Sequence, residues 1–555
     1  MINYLKFFCF CYIFLFFSCK TQQIIKKIDY SDSLSVLCEV DKVKLKLEEK
    51  RVLEALYIAK NLNTHRKDIK EVVLIYEKAF EDAKNALYES VNKKDWKKAK
   101  ILFNSIKVCE PSFDKISFNM IKEKIEKPLY EKHPILLNLK EKTQNSAKFA
   151  KTIDEMINAT VTVFVDKGIK VEKGLGYSDI ILGSGFFIDE DGYLITNYHV
   201  IQSEVEPKYE GYSKLYIKNF NGSKDKILAK VIGYDPLLDL ALLKAEVKPS
   251  YIFKLGSSEK LKVGHKIYAI GSPLGLERTI TAGIVSSKNR QLLSLVEVIQ
   301  LDAAINHGSS GGPIVDEMGE VQAIVFAGVT RTQGLNFAIP IEVLKMILPS
   351  LYSGGENTHG WLSCYGKDID NFEEIPLTNG IIASYVMPSG TLSNAGFNDD
   401  AIITHINDIQ IKNISTLKKL LFDLDVSSII KLRGKIKIDN NWVEDEFYSL
   451  LQERPYMPAS VIYKKDTIKR CVLPFYGLNL EYSGSRRYYR IKDVIPNSYG
   501  DEAGFAPNDY LEIRYMKIDE KEGIVKTLFY AKKLKSAYIE SFIGASTYGD
   551  NSGYF

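Results

Sequence analysis

The sequence predicts a multidomain chain with a helical N-terminal region, a strand-rich centre and two small α+β units after it. Three observations carry this. Tyr76, Ala79, Phe80, Ala83 and Leu87 recur at the spacing of one helix face. Residues from about 160 to 345 are a run of short apolar segments broken by turn residues. Beyond that, Pro388 is followed by Ala395-Gly396-Phe397 and Pro496 by Ala503-Gly504-Phe505, an interval of seven residues from proline to alanine in both. At 555 residues the chain has room for three or four domains of roughly 150 residues each.

At the N-terminal end, Lys6 precedes an apolar run, Phe7 to Phe17, followed by Ser18-Cys19-Lys20. The run is short for a membrane span and has the form of an export signal. A cysteine just after a small residue resembles a bacterial lipobox, so residues 1–19 are expected to be a lipoprotein-type signal peptide with Cys19 as the lipidated residue. Residues 24–135 are expected to be helical. Asn92-Lys93-Lys94-Asp95 breaks the pattern, and Asp95 is placed to cap a second helix carrying Trp96, Ala99, Phe103 and Ile106. Ala99, Phe103 and Pro111 match the second half of a tetratricopeptide unit. A plain helical hairpin fits as well, serving as a membrane spacer or a docking surface.

Apolar residues make up 45% of the chain and the net charge is +4, dispersed along it. Such a balance gives no electrostatic footprint for nucleic acid. There is no zinc-type Cys/His spacing and no phosphate-binding glycine loop, so no metal, nucleotide or other cofactor is expected. Cys38, Cys109, Cys364 and Cys471 are too scattered to show a disulfide framework.

The chemistry lies in the strand-rich centre. Gly308-Ser309-Ser310-Gly311-Gly312-Pro313 places serines on a tight, glycine-flanked loop whose backbone N–H groups can approach a carbonyl. A serine hydroxyl needs a general base, and the base needs a group to orient it. Among seven histidines, His199 follows a strand–turn–strand pattern: Gly183 to Ile188, Asp189-Glu190-Asp191-Gly192, then Tyr193 to Asn197. Asp239 is flanked by leucines in Leu237-Leu238-Asp239-Leu240, where a carboxylate stripped of water needs a partner. The order His199, Asp239, Ser310, with intervals of 40 and 71 residues, is that of chymotrypsin-like proteases.

Several further segments strengthen the match. They are Gly183-Ser184-Gly185-Phe186, Tyr268-Ala269-Ile270-Gly271-Ser272-Pro273-Leu274-Gly275, Gly283-Ile284-Val285-Ser286, Ile299 to Asn306, and Asn336-Phe337-Ala338-Ile339-Pro340. With them the chain resembles the HtrA (Deg) family of trypsin-like serine proteases with C-terminal PDZ domains. The resemblance is close over residues 150–350. It implies a chymotrypsin-like double β-barrel protease domain there, with His199 as general base, Asp239 as its orienter and Ser310 as nucleophile. Gly308, Ser309 and Ser310 would supply the oxyanion hole, chiefly through the N–H groups of Gly308 and Ser310. Leu335, Asn336 and Phe337 would line the substrate pocket. Two residues depart from the family pattern: His307 replaces a proline, and Asn336 replaces a glycine.

The resemblance extends in architecture to the C-terminal third. Residues 355–473 are expected to be a PDZ domain with an insertion at about 432–457, closed by strands at Ser460–Tyr463 and Lys469–Leu473. Trp361, Leu362 and Ser363 would hold a peptide's terminal carboxylate. Residues 474–545 are expected to be a second PDZ-like domain. The implied function is ATP-independent endoproteolysis of misfolded or selected envelope proteins, regulated by peptides at the PDZ domains, in a trimer-based assembly lipid-anchored in the bacterial cell envelope. A catalytically silent chaperone or peptide-binding scaffold on the same fold is the alternative.

Overall fold

The computed structural model describes residues 30–113, 148–207, 213–218, 226–271, 279–328, 335–369, 379–438, 441–484, 488–533 and 539–555, with the short pieces 123–124 and 135–136. The expectations for the signal segment and for Cys19 lie outside these residues.

Four helices open the described chain: α1 (Ser33–Glu48), α2 (Val52–His65), α3 (Lys70–Asn92) and α4 (Trp96–Cys109). The stripe read from the sequence is the buried one, with Ala79, Ala83 and Leu87 fully covered. Asp95 caps α4 as expected, its carboxylate accepting the Lys98 N–H at 3.2 Å. Among the described residues, no helix is long and apolar enough to cross a membrane.

After α5 (Ile153–Ala159), which opens with a Thr152–Glu155 capping box, the chain forms a first barrel. Strands β1 (Thr160–Glu172), β2 (Leu175–Phe187), β3 (Tyr193–Thr196), β4 (Lys214–Lys218), β5 (Lys226–Asp235) and β6 (Leu240–Ala245) pair as the ring β1-β2-β3-β6-β5-β4. Helix α6 (Tyr198–Val205) follows β3 directly. Strands β7 (Lys266–Gly271), β8 (Thr279–Arg290), β9 (Val298–Leu301), β10 (Pro313–Val315), β11 (Val321–Gly328) and β12 (Asn336–Pro340) close a second barrel. One buried cluster runs through both, from Phe186 and Ile195 in the first to Ile270 and Ile324 in the second. The two barrels therefore pack as a single body. Helix α7 (Ile341–Ser353) lies on this core through Ile341, Leu344, Leu348 and Leu351.

The chain then adds β13 (Gly355–Glu356) in parallel to β5 and passes through β14 (Gly360–Trp361) into a second sheet. That sheet has the order β15 (Cys364–Asp368), β16 (Ile381–Val386), β17 (Ala401–Ile406), β19 (Ile429–Ile438), β20 (Asn441–Leu450). The short β18 (Ile409–Gln410) pairs with β17, and α8 (Thr391–Asn394) and α9 (Ile414–Asp423) complete the unit. Residues 432–457, expected as an insertion, are regular structure for most of their length. Most of them form the β19–β20 hairpin, paired without a register shift from Ile429↔Leu450 to Ile438↔Asn441.

The expected closing strands are helices, α10 (Pro458–Lys465) and α11 (Ile468–Tyr476). Pro458 sits at a helix N-terminus, where its missing N–H costs nothing. Cys471, Val472 and Phe475 lie on the buried face of α11. β-branched residues gave these segments a strand signal, and helical burial overrode it. A last five-stranded sheet runs Leu478–Tyr482, Tyr489–Val494, Tyr510–Asp519, Ile524–Lys533, Ile539–Tyr548 in simple succession.

The N-terminal helices dock on the β19–β20 hairpin. The Asn61 amide donates to the Tyr448 carbonyl at 2.8 Å and accepts the Tyr448 N–H at 2.7 Å. The Ser105 hydroxyl accepts the Ile429 N–H at 2.9 Å. Ile429 and Tyr448 join Leu56, Leu102 and Ile106 in one buried cluster. The helical region is therefore part of the folded body.

Candidate active site between the barrels

Asn197 ends the first barrel's β3 in extended backbone, and α6 begins at once, so His199 sits on the first turn. The Asp235–Leu240 connection brings Asp239 to it. Asp239 is in the left-handed region (φ 53), and the Asn197 side chain holds its carbonyl at 2.8 Å. The Asp239 carboxylate grips His199 twice. Oδ1 accepts the His199 backbone N–H at 2.8 Å and Oδ2 meets Nδ1 at 2.7 Å. The carboxylate is 10% exposed and the imidazole 46% exposed, so the pair opens to solvent on the histidine side. Partial burial alone would lower the imidazole pKa. The Asp239 hydrogen bond and charge outweigh it and raise the pKa above the ordinary value.

The serine loop comes from the second barrel. A turn closes it, with the Ser309 N–H donating to the Asn306 carbonyl at 3.0 Å. His307 and Gly308 are the turn's central residues, and Gly308 has φ 97. A positive φ at the second central position is the type II arrangement, which glycine supplies without strain and in which proline is common at the first. The exposed His307 therefore takes the family's proline position without altering the turn.

Two hydrogen bonds fasten the loop to β2. The Ser184 N–H donates to the Ser310 carbonyl at 2.7 Å and the Ser184 hydroxyl to the Gly308 carbonyl at 2.6 Å. Gly311 (φ 83) is pressed against β2 and the end of β3. A Cβ there would lie 2.4 Å from the Ser184 carbonyl and 2.9 Å from the Asn197 nitrogen. Asn197 is two residues from His199, so the serine loop packs against the segment that leads into His199. No hydrogen bond joins Ser310 to His199.

The N–H groups of Ser309, Gly311 and Gly312 all have carbonyl partners, those of Asn306, Val325 and Ser309. Among the described residues, those of Gly308 and Ser310 have none. The turn thus occupies the N–H of Ser309, which was expected among the oxyanion-hole donors. Ser309 itself is buried, 8% exposed, against Gly271.

Parts of the chain are similar to known proteins. Residues 183–324 match a trypsin-like peptidase domain, residues 459–548 a PDZ domain of the TP0546 family, and residues 35–127 a domain of unknown function, DUF8517. A probable periplasmic serine endoprotease, DegP-like, of Marinomonas sp. (strain MWYL1) is 37% identical over 289 residues, 50% of this chain and 59% of that one. A protein of the same description from Chlamydia muridarum is 32% identical over 253 residues, 44% of this chain and 49% of that one. The chain thus spans about half the length of the curated relatives it matches. Among solved structures, the HtrA-type protease AlgW with a decapeptide aligns at 24% identity and a TM-score of 0.45, over 54% of this chain and 96% of that one.

The chain carries a trypsin-like peptidase domain and is similar over about half its length to DegP-like serine endoproteases. Its fold is a helical N-terminal region, a double β-barrel and strand-rich PDZ-type units.

Of the expected pocket residues, Asn336 and Phe337 are buried on β12, paired with Leu301 and Gln300, while Leu335 just before them is partly exposed. The Asn336 amide donates to the Ala303 carbonyl at 2.7 Å. At the position where the HtrA family commonly has glycine, this side chain is turned inward and tied to the segment leading into the serine loop.

Trp361, Leu362 and Ser363 are all buried. Their carbonyls are occupied by the Thr391 hydroxyl, the Leu392 N–H and the Met387 N–H. The backbone group that meets an incoming chain is one residue on: the Cys364 N–H donates to the oxygen of Phe555 at 3.2 Å. Ser363, at φ 63, turns the backbone between the two.

Sequence reasoning missed Asp235 and the role of His359. Asp235 is fully buried. It accepts the N–H groups of Leu237 and Leu238 at 3.1 and 3.0 Å, the Asn357 amide at 2.7 Å, and contacts His359 Nε2 at 2.7 Å. This knot fixes the turn leading to Asp239 and ties it to the segment entering the PDZ-type sheet. Asp235-Pro236, a turn signal between two apolar runs, was the one trace of it in the sequence. Cys109, Cys364 and Cys471 are buried and Cys38 is exposed, and among the described residues no disulfide joins these four.

Proposed function

We propose that this chain is an exported serine endopeptidase that cuts unfolded or misfolded envelope proteins without ATP. His199 acts as general base, Asp239 as its orienter and Ser310 as nucleophile, with the N–H groups of Gly308 and Ser310 as the oxyanion hole. One observation carries the reading: among the described residues the N–H groups of Gly308 and Ser310 have no partner on a loop tied to β2 and pressed against Asn197, and His199, two residues on, is held at 2.7 Å by a buried carboxylate. Two donors aimed at one point stabilise the negative oxygen of a tetrahedral intermediate, each worth about 2.7–4 kcal/mol. The periplasmic description of the relatives supports an envelope location. The lipobox-like Ser18-Cys19 supports a lipid anchor there. The family resemblance supports a trimer-based assembly and regulation through the PDZ-type units.

Casein digestion by the purified protein, beside Ser310→Ala and Ser309→Ala, tests this. Cleavage is expected in wild type and Ser309→Ala and not in Ser310→Ala. Equal cleavage in wild type and Ser310→Ala refutes it. The silent scaffold draws support from the missing Ser310–His199 hydrogen bond. Labelling of Ser310 by a fluorophosphonate separates the two: a scaffold leaves the probe unreacted.

A further inference from the structure

Strand β15 is an edge of its sheet, with β16 on one side. Its other side is covered by the chain's own residues 553–555. Cys364 and Phe555 exchange two backbone hydrogen bonds at 3.2 Å, and the Gly366 N–H donates to the Gly553 carbonyl at 3.0 Å, in antiparallel pairing about Tyr365↔Tyr554. The Phe555 side chain is 1% exposed and belongs to the core cluster of this unit, with Leu362 and with Leu417 and Leu421 of α9. Backbone pairing along an open edge with one anchored side chain is how a folded domain takes up an extended peptide. Here the chain supplies that peptide itself.

The segment is held from both flanks. The Tyr554 hydroxyl donates to the Pro474 carbonyl at 3.0 Å, and its ring packs on Tyr365 at 5.3 Å between centroids. Asp550 receives Arg454 on both oxygens, at 2.6 and 3.1 Å, with the arginine side chain fully buried. Asp550 also accepts the Ser294 hydroxyl at 2.6 Å, from the β8–β9 connection of the second barrel. Lys418 of α9 donates to the Ser294 carbonyl at 2.5 Å. The occupied edge, helix α9 and the second barrel are therefore joined at one point.

We propose that residues 551–555 are a built-in occupant of the β15–α9 groove, and that the groove admits an extended peptide with an aromatic anchor only when this segment is displaced. The inference rests on reading the β15–β20 sheet as a peptide-binding PDZ unit. It does not depend on Ser310 being a nucleophile.

The test compares full-length protein, the same protein lacking residues 551–555, and Phe555→Ala, all carrying Ser310→Ala. Binding of a fluorescent Asn-Ser-Gly-Tyr-Phe peptide is followed by anisotropy. Affinity at least tenfold higher in both altered proteins than in the full-length one is expected. Equal affinity, or no binding by altered proteins that keep their circular dichroism spectrum, overturns the proposal. Should both altered proteins unfold, hydrogen exchange in the full-length protein decides. Slow exchange at Cys364 and Gly366 supports the latch, and exchange at the rate of an open edge overturns it. Since every arm lacks the Ser310 hydroxyl, a failed protease assignment leaves the result unaffected.

Discussion

Asp239→Asn should nearly silence the enzyme while leaving its shape unchanged, and the hydrogen bonds say why. Oδ1 of Asp239 accepts the backbone N–H of His199 at 2.8 Å, so that side of the replacing amide must be its oxygen. The NH2 group then faces Nδ1, which Oδ2 contacts at 2.7 Å in the native pair. Turning the amide over would set two donors against each other at 2.8 Å. Nδ1 is thereby forced to accept, the ring proton moves to Nε2, and Nε2 can no longer take a proton from Ser310. The loss expected for such a tautomer switch is about 10⁴-fold in kcat. At about 1.36 kcal/mol per decade, this is about 5.4 kcal/mol of lost transition-state stabilisation. Hydrolysis of a chromogenic peptide measures it, with thermal melting alongside to show an unaltered fold. More than about a tenth of wild-type kcat remaining in the variant would refute the orienting role.

Three further outcomes follow from the same contacts. Because Asp239 raises the His199 pKa above the usual value of about 6.5, the acid limb of kcat/KM should lie above that pH. The pair's contribution to stability should be present below about 6.5 and lost as pH rises through the raised value; a limb below 6.5 in wild type would contradict this. Asp235→Ala leaves two N–H groups, the Asn357 amide and His359 without their acceptor. It should cost about 3–5 kcal/mol in urea unfolding, whereas a loss under about 1 kcal/mol would show the knot to be dispensable. Asn61→Ala removes both side-chain bonds to the Tyr448 backbone. It should cost about 1–3 kcal/mol and expose the helical region to proteolysis; unchanged proteolysis would mean the helices dock by other contacts.

How far the sequence could be read differs sharply from one element to the next. The pieces of the proposed active site were legible because each is local. His199 follows a strand–turn–strand pattern, Asp239 sits among leucines, and Ser310 lies in a glycine loop. The interface between barrels needs no further signal once they are in order. The helix face of Ala79, Ala83 and Leu87 was equally plain, since periodicity reports burial directly. The failures share another cause. Residues 458–476 are short, rich in β-branched side chains, and helical only because Cys471, Val472 and Phe475 find a tertiary surface to cover. The β19–β20 hairpin was hard to read because Glu444, Asp445 and Glu446 interrupt its apolar pattern, while Tyr448 is buried against the N-terminal helices and Phe447 in the sheet's own core. Asp235, His359 and the residues facing Phe555 were invisible for a different reason. Each acts on a partner more than a hundred positions away, and no local pattern encodes such a pair.

That last class of contact bears most on how the parts of the molecule act together. The turn carrying Asp239 is fixed by Asp235, and Asp235 is held by His359, whose ring packs edge-on against Phe422 of α9 at 5.1 Å between centroids. Helix α9 is also the helix that lies over Phe555 and whose Lys418 reaches Ser294 in the second barrel. One short helix thus touches, through single side chains, the groove, the connection before the serine strand and the anchor of the orienting carboxylate. Coupling between a groove and a distant site requires an element whose position both can bias. Here α9 meets the structural part of that condition. Shifting it would be felt first at Asp235, because a fully buried carboxylate with four partners has no water to replace one it loses. The same physics that made the knot unreadable in the sequence makes it the stiffest link between the PDZ-type sheet and the His199–Asp239 pair.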